Sequence, residues 1–269
     1  MRGFKITSPT TLPDLSEYTN YESKWFRGDS EEKYQFNIET GEEVPYGPDD
    51  IRYRFNHHGF RAPPFVVAKH KITEAYYGCS VMQGYGLPVE HTIPYLAHDE
   101  RHVPFNMGIA GASNDLIART VMSTVPLFKP TFVFIYWTYH TRREIYDEEG
   151  NPIQWLRNWK DQTVKVSDKY VPHMDAQGQL SHFTSNVNNL LKNITMVDLF
   201  LKSNSTDYAW ALVDAHCLTY DEVYREFFPF SDNYLRASLA DIQVDVSRDL
   251  QHPGPETSKK IANGIKSIR

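Results

Sequence analysis

Cysteine is almost missing from this chain. Cys79 and Cys217 are the only two in 269 residues, with no C-x-x-C spacing. That argues against a disulfide framework and against a cysteine-based structural zinc site, and both are expected as reduced thiols. Long apolar runs are missing too: the longest, Phe132 to Trp137, is far too short to span a bilayer. Met1 to Pro9 lack the apolar core of a secretory signal, so the expectation is a soluble protein without a signal peptide and without a membrane partner. Nor is there an excess of positive charge. Lys and Arg total 28 against 34 for Asp and Glu, and the net charge of -6 offers no footprint for a polyanion, so no nucleic-acid partner is expected. Internal repeats and low-complexity tracts are also absent.

What is present is apolar and aromatic residue in quantity. At 41% hydrophobic and 14% aromatic, the chain can bury one large core. Residues 1–70, rich in Pro, Gly, Tyr and charge, read as an N-terminal extension of loops, turns and a hairpin packed on that core. From Thr73 onward, short apolar runs alternate with helical stretches, the pattern of a mostly parallel sheet covered by helices, so 71–269 is expected as the main domain. Strands are predicted at Glu74–Cys79, Val103–Ile109, Thr131–Trp137 and Tyr208–Val213. Between Thr184 and Leu201, Val187, Leu190, Leu191, Ile194, Val197 and Leu201 recur at helical spacing, which predicts one buried face. Ile261, Ile265 and Ile268 do the same after Gly254-Pro255, where proline suits a first helical turn.

Candidate chemistry lies in two distant segments. Ser80 follows the first predicted strand in Gly78-Cys79-Ser80-Val81-Met82-Gln83-Gly84-Tyr85-Gly86, and Asp249-Leu250-Gln251-His252-Pro253 lies near the end. A serine hydroxyl is a poor nucleophile until a base takes its proton, and an imidazole does so best with a carboxylate fixing its tautomer. Ser80, His252 and Asp249 supply the three groups. The carboxyl end of a parallel strand is where open α/β sheets place such residues.

These segments resemble blocks of the SGNH, or GDSL, hydrolase family. Gly78-Cys79-Ser80 with the following Gly-rich turn is similar to the first block, Asn106-Met107-Gly108-Ile109-Ala110-Gly111 to the second, and Asp249 to Pro253 to the last. Asn56-His57-His58-Gly59-Phe60-Arg61 is similar to an Asn-x-x-Gly-Phe-Arg stretch that precedes the first block in some members. The resemblance implies a three-layer α/β/α sandwich with flavodoxin-like strand order and an esterase or deacetylase working through an acyl-enzyme without a cofactor. The substrate would be a small-molecule or carbohydrate ester, O-acetyl groups on a polysaccharide being the first expectation.

The chain departs from the family at two places. Cys79 stands where aspartate is usual, and the third-block asparagine, an oxyanion donor, is missing from Tyr136-Trp137-Thr138-Tyr139-His140. The resemblance implies an oxyanion hole from the backbone N–H groups of Ser80 and Gly111; for the missing amide either Thr138, Tyr139 or His140 substitutes, or Asn114 reaches in, or the activity is weak, with Thr138 or Asn114 the first expectation. An O-acyltransferase with the same triad, or an inactive virion or scaffold protein making virion or homo-oligomer contacts, are the competing implications; the first and last blocks also resemble phage versions, which would place the protein in the cytoplasm or on a virion.

Other features read as structural. Gly28-Asp29-Ser30 has no buried strand before it and is expected in an exposed loop. Cys79, a rival nucleophile by chemistry, is expected to point into the sheet. His57, His58 and His140 lack metal-ligand spacing, so no metal is expected. Arg142-Arg143-Glu144 is expected to form an ion pair or to hold an anion. The aromatic run Tyr220 to Phe230 reads as packing surface. The sequons at Asn193 and Asn204 read as chance matches.

Overall fold

The computed structural model describes residues 13–65, 72–98, 101–148, 152–155, 170–214 and 233–269. Cys217 and the run Tyr220 to Phe230 lie outside them. The centre is a four-stranded parallel sheet of β3 (Ile72–Gly78), β4 (His102–Gly108), β5 (Phe132–Trp137) and β8 (Asp207–Leu212), in the order β4-β3-β5-β8. All six residues of β5 are buried, as a strand covered on both faces requires. These are the four strands predicted from sequence, displaced by one or two residues at their ends.

Helices cover the sheet. α4 (Asn114–Phe128) packs on α6 (Phe183–Ser203), which follows α5 (Val171–Leu180), and α3 (Ile93–Ala97) packs on the last helix, Pro255–Ser267. The apolar stripe of α6 is buried at Val187, Leu190, Ile194, Val197 and Leu201, while Leu191 is only half-buried at its edge. In the last helix Ile261 and Ile265 are buried, but Ile268 is the exposed C-cap. The fold is therefore α/β with a central parallel sheet, and its strand order reverses beside β3. The chain leaves β3 towards β4 on one side, then crosses to β5 on the other. Ligand crevices of open α/β sheets form at this kind of switch point, outside the carboxyl ends of the strands.

Two additions flank this frame. In the N-terminal segment β1 (Glu22–Ser23) pairs antiparallel with β2 (Tyr53–Arg54), but α1 (Glu31–Glu39) lies between them, so the pair is not the hairpin expected. Phe26, Ile51, Tyr53 and Phe55 form an apolar cluster with Tyr85 and Ala110 of the main body. After β5 the antiparallel pair β6 (Arg143–Tyr146) and β7 (Pro152–Trp155) is held to α4 by a buried Arg119–Glu144 ion pair at 2.6 Å. Glu144 thus pairs with a helix residue and not with its arginine neighbours, while Arg143 donates to Ser185. No helix among the described residues is long and apolar enough to cross a membrane.

Candidate active site

Ser80 is the first residue of α2 (Ser80–Gln83), directly after β3. The neighbouring strands approach this turn closely. A Cβ on Gly108, at the end of β4, would fall on the backbone nitrogen of Gln83, so only glycine fits there. The turn closes through Gly84 and Gly86, both in the left-handed region at φ 76° and 71°. It is held from behind by buried Arg61, whose guanidinium donates to the carbonyls of Gly84 and, at 2.6 Å, Leu87. The preceding residues explain how Arg61 gets there. Asn56 Oδ1 accepts from the N–H groups of His58 (2.9 Å) and Phe60 (3.2 Å), and Gly59 turns the chain at φ 78°.

From the far end of the chain, residues 247–253 fold across this turn. His252 Nε2 lies 2.8 Å from Ser80 Oγ, and His252 Nδ1 lies 2.6 Å from Asp249 Oδ2. An ionised carboxylate only accepts, so Nδ1 carries the hydrogen, and in the neutral imidazole Nε2 is left to accept from the serine. Asp249 Oδ1 accepts from Ser247 Oγ (2.8 Å) and from the N–H groups of His252 (3.0 Å) and Gln251 (3.1 Å). Burial alone would raise the Asp249 pKa. The hydrogen bond and charge of His252, with the backbone N–H groups, outweigh it and hold the carboxyl well below its ordinary range. Ser80 and Asp249 are buried, whereas the His252 side chain is 23% exposed and backed by the Tyr85 ring at 4.7 Å.

The N–H groups of Ser80 and Gly111 make no hydrogen bond among the described residues. Gly111 has φ 77° and ends the turn after β4. Thr138 lies two residues beyond Tyr136, the register partner of Gly78, just as Ser80 lies two beyond Gly78. Its hydroxyl is buried and has no hydrogen-bond partner among the described residues. Asn114 does not have a free amide: Oδ1 accepts from Thr138 N–H at 2.9 Å, and Nδ2 donates to the carbonyls of Tyr139 (3.1 Å) and Thr138 (3.3 Å). Of the two side chains expected near the oxyanion position, Asn114 holds the backbone and Thr138 keeps an unused donor.

Some expectations need correction or are placed elsewhere. Asp29 is not in an exposed loop; it is 2% exposed and ion-paired with Arg248, while Ser30 caps α1 by accepting from Lys33 N–H at 3.3 Å. Asn193 is buried and donates to Asp115, so its sequon is inaccessible. Cys79 is buried, as expected. Sequence reasoning missed Asp29, Tyr53, Tyr85, Ser247 and Arg248. Ser247 and Arg248 abut the Asp-x-x-His segment, but no spacing rule connects that segment to residues 29 and 53.

No family model matches the chain, and no curated protein matches it. Among solved structures it is similar to a protein assigned to the lipolytic G-D-S-L family from Desulfitobacterium hafniense, at 13% identity, 74% of this chain, 100% of that chain and TM-score 0.48. A carbohydrate acetylesterase family member from Sinorhizobium meliloti matches at 11%, 73%, 96% and 0.44 on the same measures. The psychrotrophic esterase EstA from Pseudoalteromonas sp. matches at 13%, 72%, 94% and 0.43.

Proposed function

We propose that this chain is a serine-dependent carboxylic ester hydrolase of the SGNH type, with Ser80 as nucleophile, His252 as general base and acid, and Asp249 as its orienting carboxylate. One observation carries the reading: the unbroken chain of contacts from Ser80 Oγ through both ring nitrogens of His252 to Asp249, at 2.8 and 2.6 Å. Ser80 Oγ attacks the acyl carbon while His252 Nε2 takes its proton, and the imidazolium is stabilised by the buried Asp249. The tetrahedral oxyanion is met by the N–H groups of Ser80 and Gly111 and by the Thr138 hydroxyl, donors with no competing partner among the described residues. Collapse of the intermediate breaks the ester C–O bond, and His252 returns the proton to the leaving alcohol. Water, activated by the same imidazole, then releases the acid and restores Ser80.

For the substrate we propose an O-acetylated carbohydrate. Tyr139, next to Thr138 and 42% exposed, offers a partly exposed aromatic ring on which a sugar can stack, with the Arg142 guanidinium carbon 5.2 Å from its centroid. The test is labelling of wild type and Ser80→Ala with a fluorophosphonate, followed by hydrolysis of p-nitrophenyl acetate and of an acetylated oligosaccharide. Labelling and turnover in wild type, both lost in Ser80→Ala, are expected. A wild type that neither labels nor turns over removes the hydrolase reading and favours a structural protein on this fold. Transfer to an added sugar in excess of hydrolysis would instead indicate an acyltransferase.

A further inference from the structure

The residue preceding Asp249 is an arginine with no exposed side-chain surface. Arg248 Nε and Nη2 meet Asp29 Oδ1 and Oδ2 at 3.0 and 2.8 Å, across 219 residues of chain. The remaining donors reach the carbonyls of Lys24 (2.6 Å), Gly47 (3.2 Å) and Pro48 (3.5 Å), and the Trp25 ring lies 4.2 Å from the guanidinium carbon. Every guanidinium N–H is therefore spent.

The pair is also wired to the serine turn. Tyr53 Oη donates to Asp29 Oδ2 at 2.5 Å and accepts from Gly86 N–H at 2.8 Å. Arg248 N–H donates to the Gly86 carbonyl at 3.0 Å. Gly86 is thus gripped on both sides, by Tyr53 and by Arg248, and it sits between Ser80 and the segment that carries Asp249 and His252. A buried ion pair adds little stability over apolar residues of similar volume, because desolvation offsets its attraction. What a bidentate pair does supply is fixed geometry. That geometry is imposed on a segment whose Leu250 is already in the left-handed region at φ 56°, a conformation leucine does not favour.

We propose that the Asp29–Arg248 pair, with Tyr53, is a positioning device for the catalytic groups: it sets where Asp249 and His252 stand relative to Ser80, so the N-terminal segment belongs to the catalytic apparatus. The inference rests on the hydrolase reading for its kinetic consequence, but not for its structural one. The full chain is compared with Asp29→Asn and Tyr53→Phe. Each is checked for folding by circular dichroism and read by kcat and KM on p-nitrophenyl acetate and by the downfield proton NMR signal of the His252–Asp249 hydrogen bond. Tyr53→Phe is the milder change and keeps the test alive if Asp29→Asn does not fold.

The expected result is a folded variant with kcat reduced ten- to a hundredfold, KM within threefold of wild type, and the downfield signal shifted or broadened. Folded variants with lower melting temperature but unchanged kcat and an unmoved signal would overturn the proposal, leaving the pair a structural one. If wild type shows no hydrolysis at all, the hydrolase reading fails, while the NMR signal still decides whether the pair positions His252.

Discussion

Asn114 holds both backbone polar groups of Thr138, accepting from its N–H at 2.9 Å and donating to its carbonyl at 3.3 Å. An amide that could itself have served as an oxyanion donor is used to hold the residue whose hydroxyl remains unused. This division of labour gives a test in which activity and stability separate. Thr138→Val removes a buried hydroxyl that has no partner, so the melting temperature should stay level or rise. Loss of one oxyanion donor should lower kcat by about a hundredfold. Thr138→Ser should retain most activity. Unchanged kcat in Thr138→Val would remove the hydroxyl from the oxyanion site.

The depressed pKa of Asp249 gives a pH dependence with a definite sign. A carboxyl whose folded pKa lies below its unfolded value, about 3.9, adds stability that is complete above that value and is lost as pH falls towards the folded one. Asp249→Asn has no such group. Its melting temperature should therefore fall less steeply than that of wild type below about pH 4. At pH 7 the same variant should lose roughly 10⁴ in kcat, because an amide favours the wrong imidazole tautomer. Parallel melting curves from pH 2 to 7 would show that Asp249 is not held ionised by His252.

Gly86 is where the serine turn meets the Asp249 segment. A Cβ there would run into the Ser247 hydroxyl and lie 3.2 Å from Arg248 N, at φ 71°. Because Ser247 donates to Asp249, the collision reaches the triad. Gly86→Ala should cost about 2–4 kcal/mol, the sum of left-handed strain and overpacking, and reduce kcat strongly. Gly41→Ala is the control: the same backbone region at φ 82°, nothing within 4 Å, and an expected cost of about 1 kcal/mol with full activity. Equal effects at the two positions would mean that strain alone, and not contact with Ser247, decides the outcome.

The parts of this protein that could be read from sequence are those with a local signature. β5 is a continuous apolar run, α6 has a helical stripe, and Ser80 and Asp-x-x-His each sit in a short recognisable context. Their meeting could be expected because the carboxyl end of a parallel strand is a general address for reactive groups. The supporting contacts could not. Asp29 lies in a polar segment with no periodicity, and its partner is 219 residues away. Neither residue carries a signal that it will be buried, since charged side chains are expected outside unless a partner is already known. Asn114 was legible as a polar residue near the site, but not as the clamp on Thr138. That role follows from the first turn of α4 meeting the chain just after β5, a tertiary contact that sequence does not specify.

Cys79 gives the last test, because it stands beside Ser80 with the more nucleophilic atom. It is the residue before the helix, extended at φ -90° and ψ -152°, and its side chain is buried in the sheet core with 1% of its surface exposed. No contact among the described residues joins this thiol to His252, whereas Ser80 Oγ lies 2.8 Å from its Nε2. Cys79→Ala should therefore keep fluorophosphonate labelling and remain within a few-fold of wild-type kcat, while losing about 1–2 kcal/mol from the lost packing. Native protein should also resist iodoacetamide at this position. A Cys79→Ala variant that folds but neither labels nor turns over would transfer the nucleophile from Ser80 to the thiol.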